Sequence, residues 1–191
     1  MIIENGAGNG NKLAVNGANE AKVFSVTKSQ AQDAADLGNA FNINTGDITC
    51  AGDTTICYFK NDEDTDIVLE AFAVGLRGST VADLATVTFI TNPTAGDLIS
   101  DATDADMIAN RNAGSSKVLK STTLAYKGKV AGTVTGGVNT AQFYMGNNSR
   151  LFATINWVIS RGSSIALKIT DTTTAGNLYG ALILHKKDDV R

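Results

Sequence analysis

"RLFATINWVIS", residues Arg150 to Ser160, decides the fold by its alternation. Leu151, Ala153, Ile155, Trp157 and Ile159 fall on one side of an extended chain, and Phe152, Thr154, Asn156 and Val158 on the other. Successive side chains of a strand point to opposite faces, so a period of two marks a half-buried strand. On this pattern Trp157 belongs to the core rather than to a ligand platform. "RGS" then turns the chain into "SIALKIT", with Ile165, Leu167 and Ile169 inward and Lys168 outward. After "DTTTAGN" comes a third strand, "LYGALILHKK". The short glycine-containing turns between the three predict consecutive antiparallel pairing.

The same texture extends toward the N-terminus. Strands are expected over Val23–Thr27, Thr55–Lys60, Asp66–Leu76, Thr86–Ile90, Lys117–Leu124 and Ala141–Met145. They are punctuated by Gly, Asn, Asp and Ser clusters, as turns require. Eight or nine short strands without a long helical run predict an all-β fold, an antiparallel β-sandwich of jelly-roll type. Two short helices interrupt it. "SQAQDAADLG" offers Ser29 as N-cap, Gln32 at the capping-box position and Gly38 as the stop. "TDADMIAN" offers Thr103 as N-cap, with Asp104 and Asp106 in the first turn. Residues 1–20, with "NGAGNGNKLAVNGAN", are too rich in glycine and asparagine for a helix or a packed strand. They read as an extended arm ahead of a sandwich domain over 21–191. Ile2, Ile3, Leu13 and Val15 are the arm's apolar anchors and its candidate partner-binding residues.

Composition narrows the function. The chain has 191 residues, 43% of them hydrophobic, and a net charge of −3, which is a globular composition. No cluster of Lys and Arg marks a nucleic-acid footprint, and no apolar run reaches membrane-spanning length. "MIIENGAGNGNK" has neither a basic start nor an apolar stretch of signal-peptide type, so synthesis in a cytoplasm is expected. Cys50 and Cys57 fit no zinc or redox spacing. With "CAGDTT" read as a turn, Cys50 stands opposite Thr55 rather than Cys57, and no disulfide is expected.

The residues that carry chemistry are sparse. Asp62, Glu63, Asp64 and Asp66 crowd the loop after Lys60. An EF-hand loop counted from Asp62 needs Gly and Glu where Ile67 and Ala73 stand. The cluster reads as solvated turn acids, an irregular calcium site being the alternative. His185 is the only histidine. It has no His-Glu-x-x-His partner and no Gly-x-Ser-x-Gly serine, so no catalytic role is expected for it. "GAGNGN" at Gly6 lacks the third glycine and the preceding strand of a dinucleotide fingerprint. With aromatic residues at only 6%, the sequence neither supports nor excludes sugar binding. No enzyme and no cofactor are expected.

Several strings go further. "YFKNDEDTDIVLEAFAVG", "TNPTAGDLISDA", "NRNAGSSKVL" with "YKGK", and "RLFATINWVISRGSSIALKI" followed by "ALILHK" resemble virion structural proteins of tailed phages of marine bacteria. The resemblance spans residues 40–187 and includes "NINTG" at Asn42. It implies a capsid decoration (cement) protein on the outer capsid surface that bridges subunits of the major capsid protein and stabilises the head. It also implies a homotrimer; the composition speaks against nucleic acid and membrane as partners. A tail or fibre component that attaches to the host is the alternative. A glycine-rich arm suits the first role, because it orders only on binding.

Overall fold

A computed structural model describes residues 29–50, 52–78, 81–100, 103–129, 132–146, 148–172 and 176–187. The predicted arm over 1–20 and the predicted strand over 23–27 lie outside the described residues. The elements begin with α1 (Gln30–Asp36), β1 (Ala40–Asn44), β2 (Ile48–Cys50), β3 (Thr54–Lys60), β4 (Ile67–Arg77) and β5 (Val81–Thr91). Short elements come next: β6 (Ala95–Gly96), α2 (Asp97–Ser100), β7 (Thr103–Asp104), β8 (Met107–Asn110), β9 (Leu124–Lys127) and β10 (Val134–Thr135). Four long strands close the chain: β11 (Val138–Met145), β12 (Arg150–Ile159), β13 (Ser164–Thr172) and β14 (Gly176–Lys186).

Two antiparallel sheets pack face to face, so the fold is the expected all-β sandwich. The first sheet runs β12-β4-β14-β1-β8, with β2 also on β14; the second runs β11-β5-β13-β3-β9-β7. Short strands, among them β7 and β8 at the sheet edges and β6 and β10 in a pair of their own, raise the number above the eight or nine expected from sequence. The pairing is nested: β1 with β14, β3 with β13, β4 with β12 and β5 with β11. The long strands β3 to β5 and β11 to β14 therefore alternate between sheets.

This corrects the expected consecutive pairing. β12 lies on β4, β13 between β3 and β5, and β14 between β4 and β1. The turn after β12, with Gly162 at φ 79°, crosses from one sheet to the other instead of closing a hairpin. Sheets pack about 10 Å apart, a gap that so short a loop spans. The inward faces are those expected. Ile165, Leu167 and Ile169 are buried between the sheets with Phe72, Val74, Val87 and Phe89.

α1 has the expected ends. The Ser29 hydroxyl accepts from the Gln32 N–H, and the Gln32 carboxamide accepts from the Ser29 N–H. Gly38 leaves the helix at φ 72°. The second predicted helix does not form. Thr103–Asp104 pairs with β9 and Met107–Asn110 with β1, so these residues pass from the edge of one sheet to the edge of the other. An isolated segment this short nucleates a helix poorly, and two sheet edges offer it ladder bonds instead. The strand expected over 117–124 is also absent. That segment is loop until Leu124, and the Lys120 N–H bonds to a side chain, Glu63 Oε1, rather than to a neighbouring strand. Nor does Cys50 face Thr55: it pairs with Gly176 across β2 and β14, while Cys57 lies in the other sheet.

The second sheet is covered on its outer face as well. Tyr58, Ala166 and Ile90 form one row across β3, β13 and β5. Leu98 of α2 and Val134 of β10 seal that row into a second apolar cluster. This explains why β3 is buried on both faces, with Tyr58 stacked on Tyr126 of β9 at 6.0 Å. Gly128 keeps this layer closed. A Cβ there would sit 1.8 Å from the Thr55 carbonyl oxygen, a backbone atom that no rotamer change can move. Gly128→Ala is therefore expected to destabilise by about 1–3 kcal/mol, the usual cost of overpacking. A urea melt within experimental error of the parent's would refute this close approach.

Candidate functional site

The acidic loop between β3 and β4 was expected to be solvated, and at its centre it is not. Asn61 and Glu63 are both buried. The Asn61 carboxamide donates to the Thr65 carbonyl at 3.1 Å and to the Ile159 carbonyl at 2.8 Å, and its oxygen accepts from the Glu63 N–H at 3.0 Å. That turn aims the Glu63 carboxylate inward. Oε1 accepts from the Lys120 N–H at 2.6 Å and the Thr123 hydroxyl at 2.9 Å, and Oε2 accepts from Lys186 Nζ at 2.6 Å. Burial pushes this carboxyl up. The bonds from Lys186, the Lys120 N–H and Thr123 outweigh that push, and the group ends below the usual glutamate range.

The neighbouring acids behave differently. Asp64 is exposed and pairs with Lys120 Nζ at 2.6 Å, which holds it below the ordinary aspartate value. Asp66 accepts from the Arg161 N–H at 3.3 Å and its carbonyl from the Lys187 N–H at 2.8 Å. Only part of the cluster thus matches the expected turn acids. Among the described residues no three His, Cys, Asp or Glu side chains are grouped to hold a metal ion.

His185 lies on β14, on the face of the first sheet away from the core, yet it is buried. Its Nδ1 is 2.8 Å from Glu70 Oε1, and the same oxygen takes Arg111 Nη1 at 2.7 Å. Arginine fixes the carboxylate and the carboxylate orients the imidazole, an arrangement that also orients catalytic bases. Here the other ring nitrogen, Nε2, is sealed from solvent without a partner among the described residues. The row therefore ties β4, β14 and the end of β8 together. Cys50 and Cys57 are buried and form no disulfide with each other, and burial pushes the Cys57 thiol up to about 12, which makes it a poor nucleophile.

The candidate partner-binding residues Ile2, Ile3, Leu13 and Val15 lie outside the described residues. Sequence reasoning missed Asn61, Thr123, Lys186, Glu70 and Arg111. Its one available signal was Glu70 itself, a lone carboxylate inside the apolar run Ile67–Val74. It also missed a cavity of about 500 Å³ bordered by Trp157. Trp157 faces inward as expected, but it is only partly buried. No helix of the described residues is long and apolar enough to cross a membrane. No protein-family model, curated protein or solved structure matches this chain.

Proposed function

We propose that this chain is a structural protein of a virus particle, a decoration protein that binds the outer capsid surface and bridges subunits of the shell. The nested pairing supports the finer fold reading, because a ribbon of paired strands wound across two sheets is the winding of a jelly roll. The residue strings from "YFKNDEDTDIVLEAFAVG" to "ALILHK" support the family. One structural observation carries the role. Among the described residues both sheets end, on the same side of the sandwich, in long strands, β11 and β12. Their outward faces expose Tyr144 and Phe152, each 62% accessible. An unpaired edge with aromatic side chains supplies ladder groups and apolar area for lateral contact. Closed threefold association through the Tyr144 and Phe152 end of this edge buries that area without open-ended growth and leaves the Thr140 and Asn156 end uncovered. The acidic and basic groups best suited to chemistry, Glu63, Glu70 and His185, are already bonded as architecture, which fits a non-enzymatic role.

Light scattering on the purified protein is expected to give a trimer, and Tyr144→Glu with Phe152→Glu a monomer. Added to undecorated shells, the parent protein is expected to bind in many copies per particle. A monomeric parent would refute the solution trimer. Attachment at only a few copies per particle would favour the tail or fibre reading.

A further inference from the structure

We infer that the cavity between the edge strands β11 and β12 is a binding site for a neutral saccharide. It opens where β5 ends and β13 begins, bordered by Trp157, Asn156, Thr140, Asn92, Ser160 and Ser163 among others. Its volume of about 500 Å³ lies within the range of small-ligand sites, roughly 300–1,000 Å³.

Three independent features mark it as built. First, both edge strands bulge beside it. β11 slips register between Asn139 and Ala141, which frees Thr140 from the ladder with β5. β12 slips between Thr154 and Trp157, which takes Ile155 and Asn156 out of the ladder with β4. Bulges re-aim side chains, and here each releases one polar residue to the cavity rim. Second, Asn156 and Asn92 both hold left-handed backbone, at φ 53° and 49°. Asn92 is fixed there, since its side-chain oxygen accepts from the Ser164 N–H at 2.9 Å and its own N–H donates to the Ser164 carbonyl at 2.8 Å. Third, the Trp157 ring is held before any ligand arrives. It packs edge to face on Phe89 at 5.1 Å, so ordering it costs little on binding.

The lining selects the ligand class. It combines an indole, aliphatic side chains, carboxamides and hydroxyls, and none of its residues is charged. An anion would meet no cationic side chain and a cation no carboxylate, so neither gains the charge-assisted bonds that would hold it here. A wholly apolar ligand would strand the carboxamides and hydroxyls. A sugar ring satisfies both halves: its C–H face lies on the indole and its hydroxyls exchange hydrogen bonds with the amides and serines.

Trp157 is the chain's only tryptophan, so its emission reports the site directly. The full chain would be titrated with methyl glycosides of glucose, mannose, galactose and N-acetylglucosamine, with maltotriose and chitotriose, and with sialic acid and glucosamine as charged controls. At least one neutral saccharide is expected to shift the emission saturably, and the charged controls are not. Asn156→Gly removes the carboxamide yet keeps the left-handed backbone, and it is expected to weaken binding about tenfold with an unchanged melting temperature. Ser160→Ala, on the exposed turn, gives a second reading should Asn156→Gly alter folding. The assignment is overturned if no neutral saccharide in the panel shifts the emission, if only the charged sugars bind, or if neither variant weakens binding.

Discussion

Replacing Phe89 by alanine is expected to remove about 3–5 kcal/mol of stability, the usual range for deleting a buried aromatic ring. Phe89 stands on β5 in the second sheet, fully buried. Its ring meets Phe72 of β4 at 4.7 Å and Trp157 of β12 at 5.1 Å, both on the first sheet, and Phe143 of β11 at 6.2 Å. All three contacts are edge-on, the geometry in which aromatic quadrupoles attract. One ring thus locks the two sheets together beside β11 and β12, which among the described residues carry ladder bonds on one side only. Neither sheet can close over the vacancy without shifting its own register. For a chain of this size the loss lowers the melting temperature by roughly 6–20 °C. Trp157→Ala is expected to cost less, because the indole is only partly buried, although its place in the strand pattern suggested full burial. Urea unfolding followed by circular dichroism measures both variants on one scale. Equal losses would mean that the indole is as deeply committed to the core as Phe89, and would leave it little surface for a ligand.

Period and local capping made part of the fold legible in the sequence. The inward faces of β12 and β13 come from alternation, because a strand has two faces and only one is apolar. The ends of α1 were legible because a capping box is a local device, closed within three residues. Partner choice was not legible. A short glycine turn is compatible with a hairpin and with a crossing between sheets, and the choice after Ile159 depends on which edges other strands leave open. Met107–Asn110 shows the same limit: its local signals suit a helix, but β1 offers it a ladder. The cavity left only faint traces in the sequence. Asn156 interrupts an apolar strand, but nothing in the string shows that the ladder slips there.

The buried carboxylate is the sharpest case, and it carries the second large effect. The partners of Glu63 stand 57, 60 and 123 residues along the chain, so four acids in a loop read as solvated when only their neighbours are considered. Glu63→Ala removes the one group that satisfies the Lys120 N–H, the Thr123 hydroxyl and part of the Lys186 ammonium together. Breaking a buried, hydrogen-bonded ion pair from one side costs about 3–5 kcal/mol, far more than a surface pair contributes. Glu63→Gln keeps the shape and is expected to lose less, because an amide still accepts at one oxygen but presents a second donor to Lys186. The effect carries a pH signature. The folded-state pKa of Glu63 is depressed, so its contribution is present above the unfolded glutamate value and is lost as pH falls through the folded one. The parent protein should therefore lose stability on acidification from about pH 5 downward, and Glu63→Gln should lose less over the same interval. Urea melts of parent and variants at neutral pH and near pH 3 measure both claims. Parallel pH profiles for parent and Glu63→Gln would assign the acid sensitivity to other carboxylates. A Glu63→Ala protein as stable as the parent would return the whole loop to solvent, the state its local sequence favours.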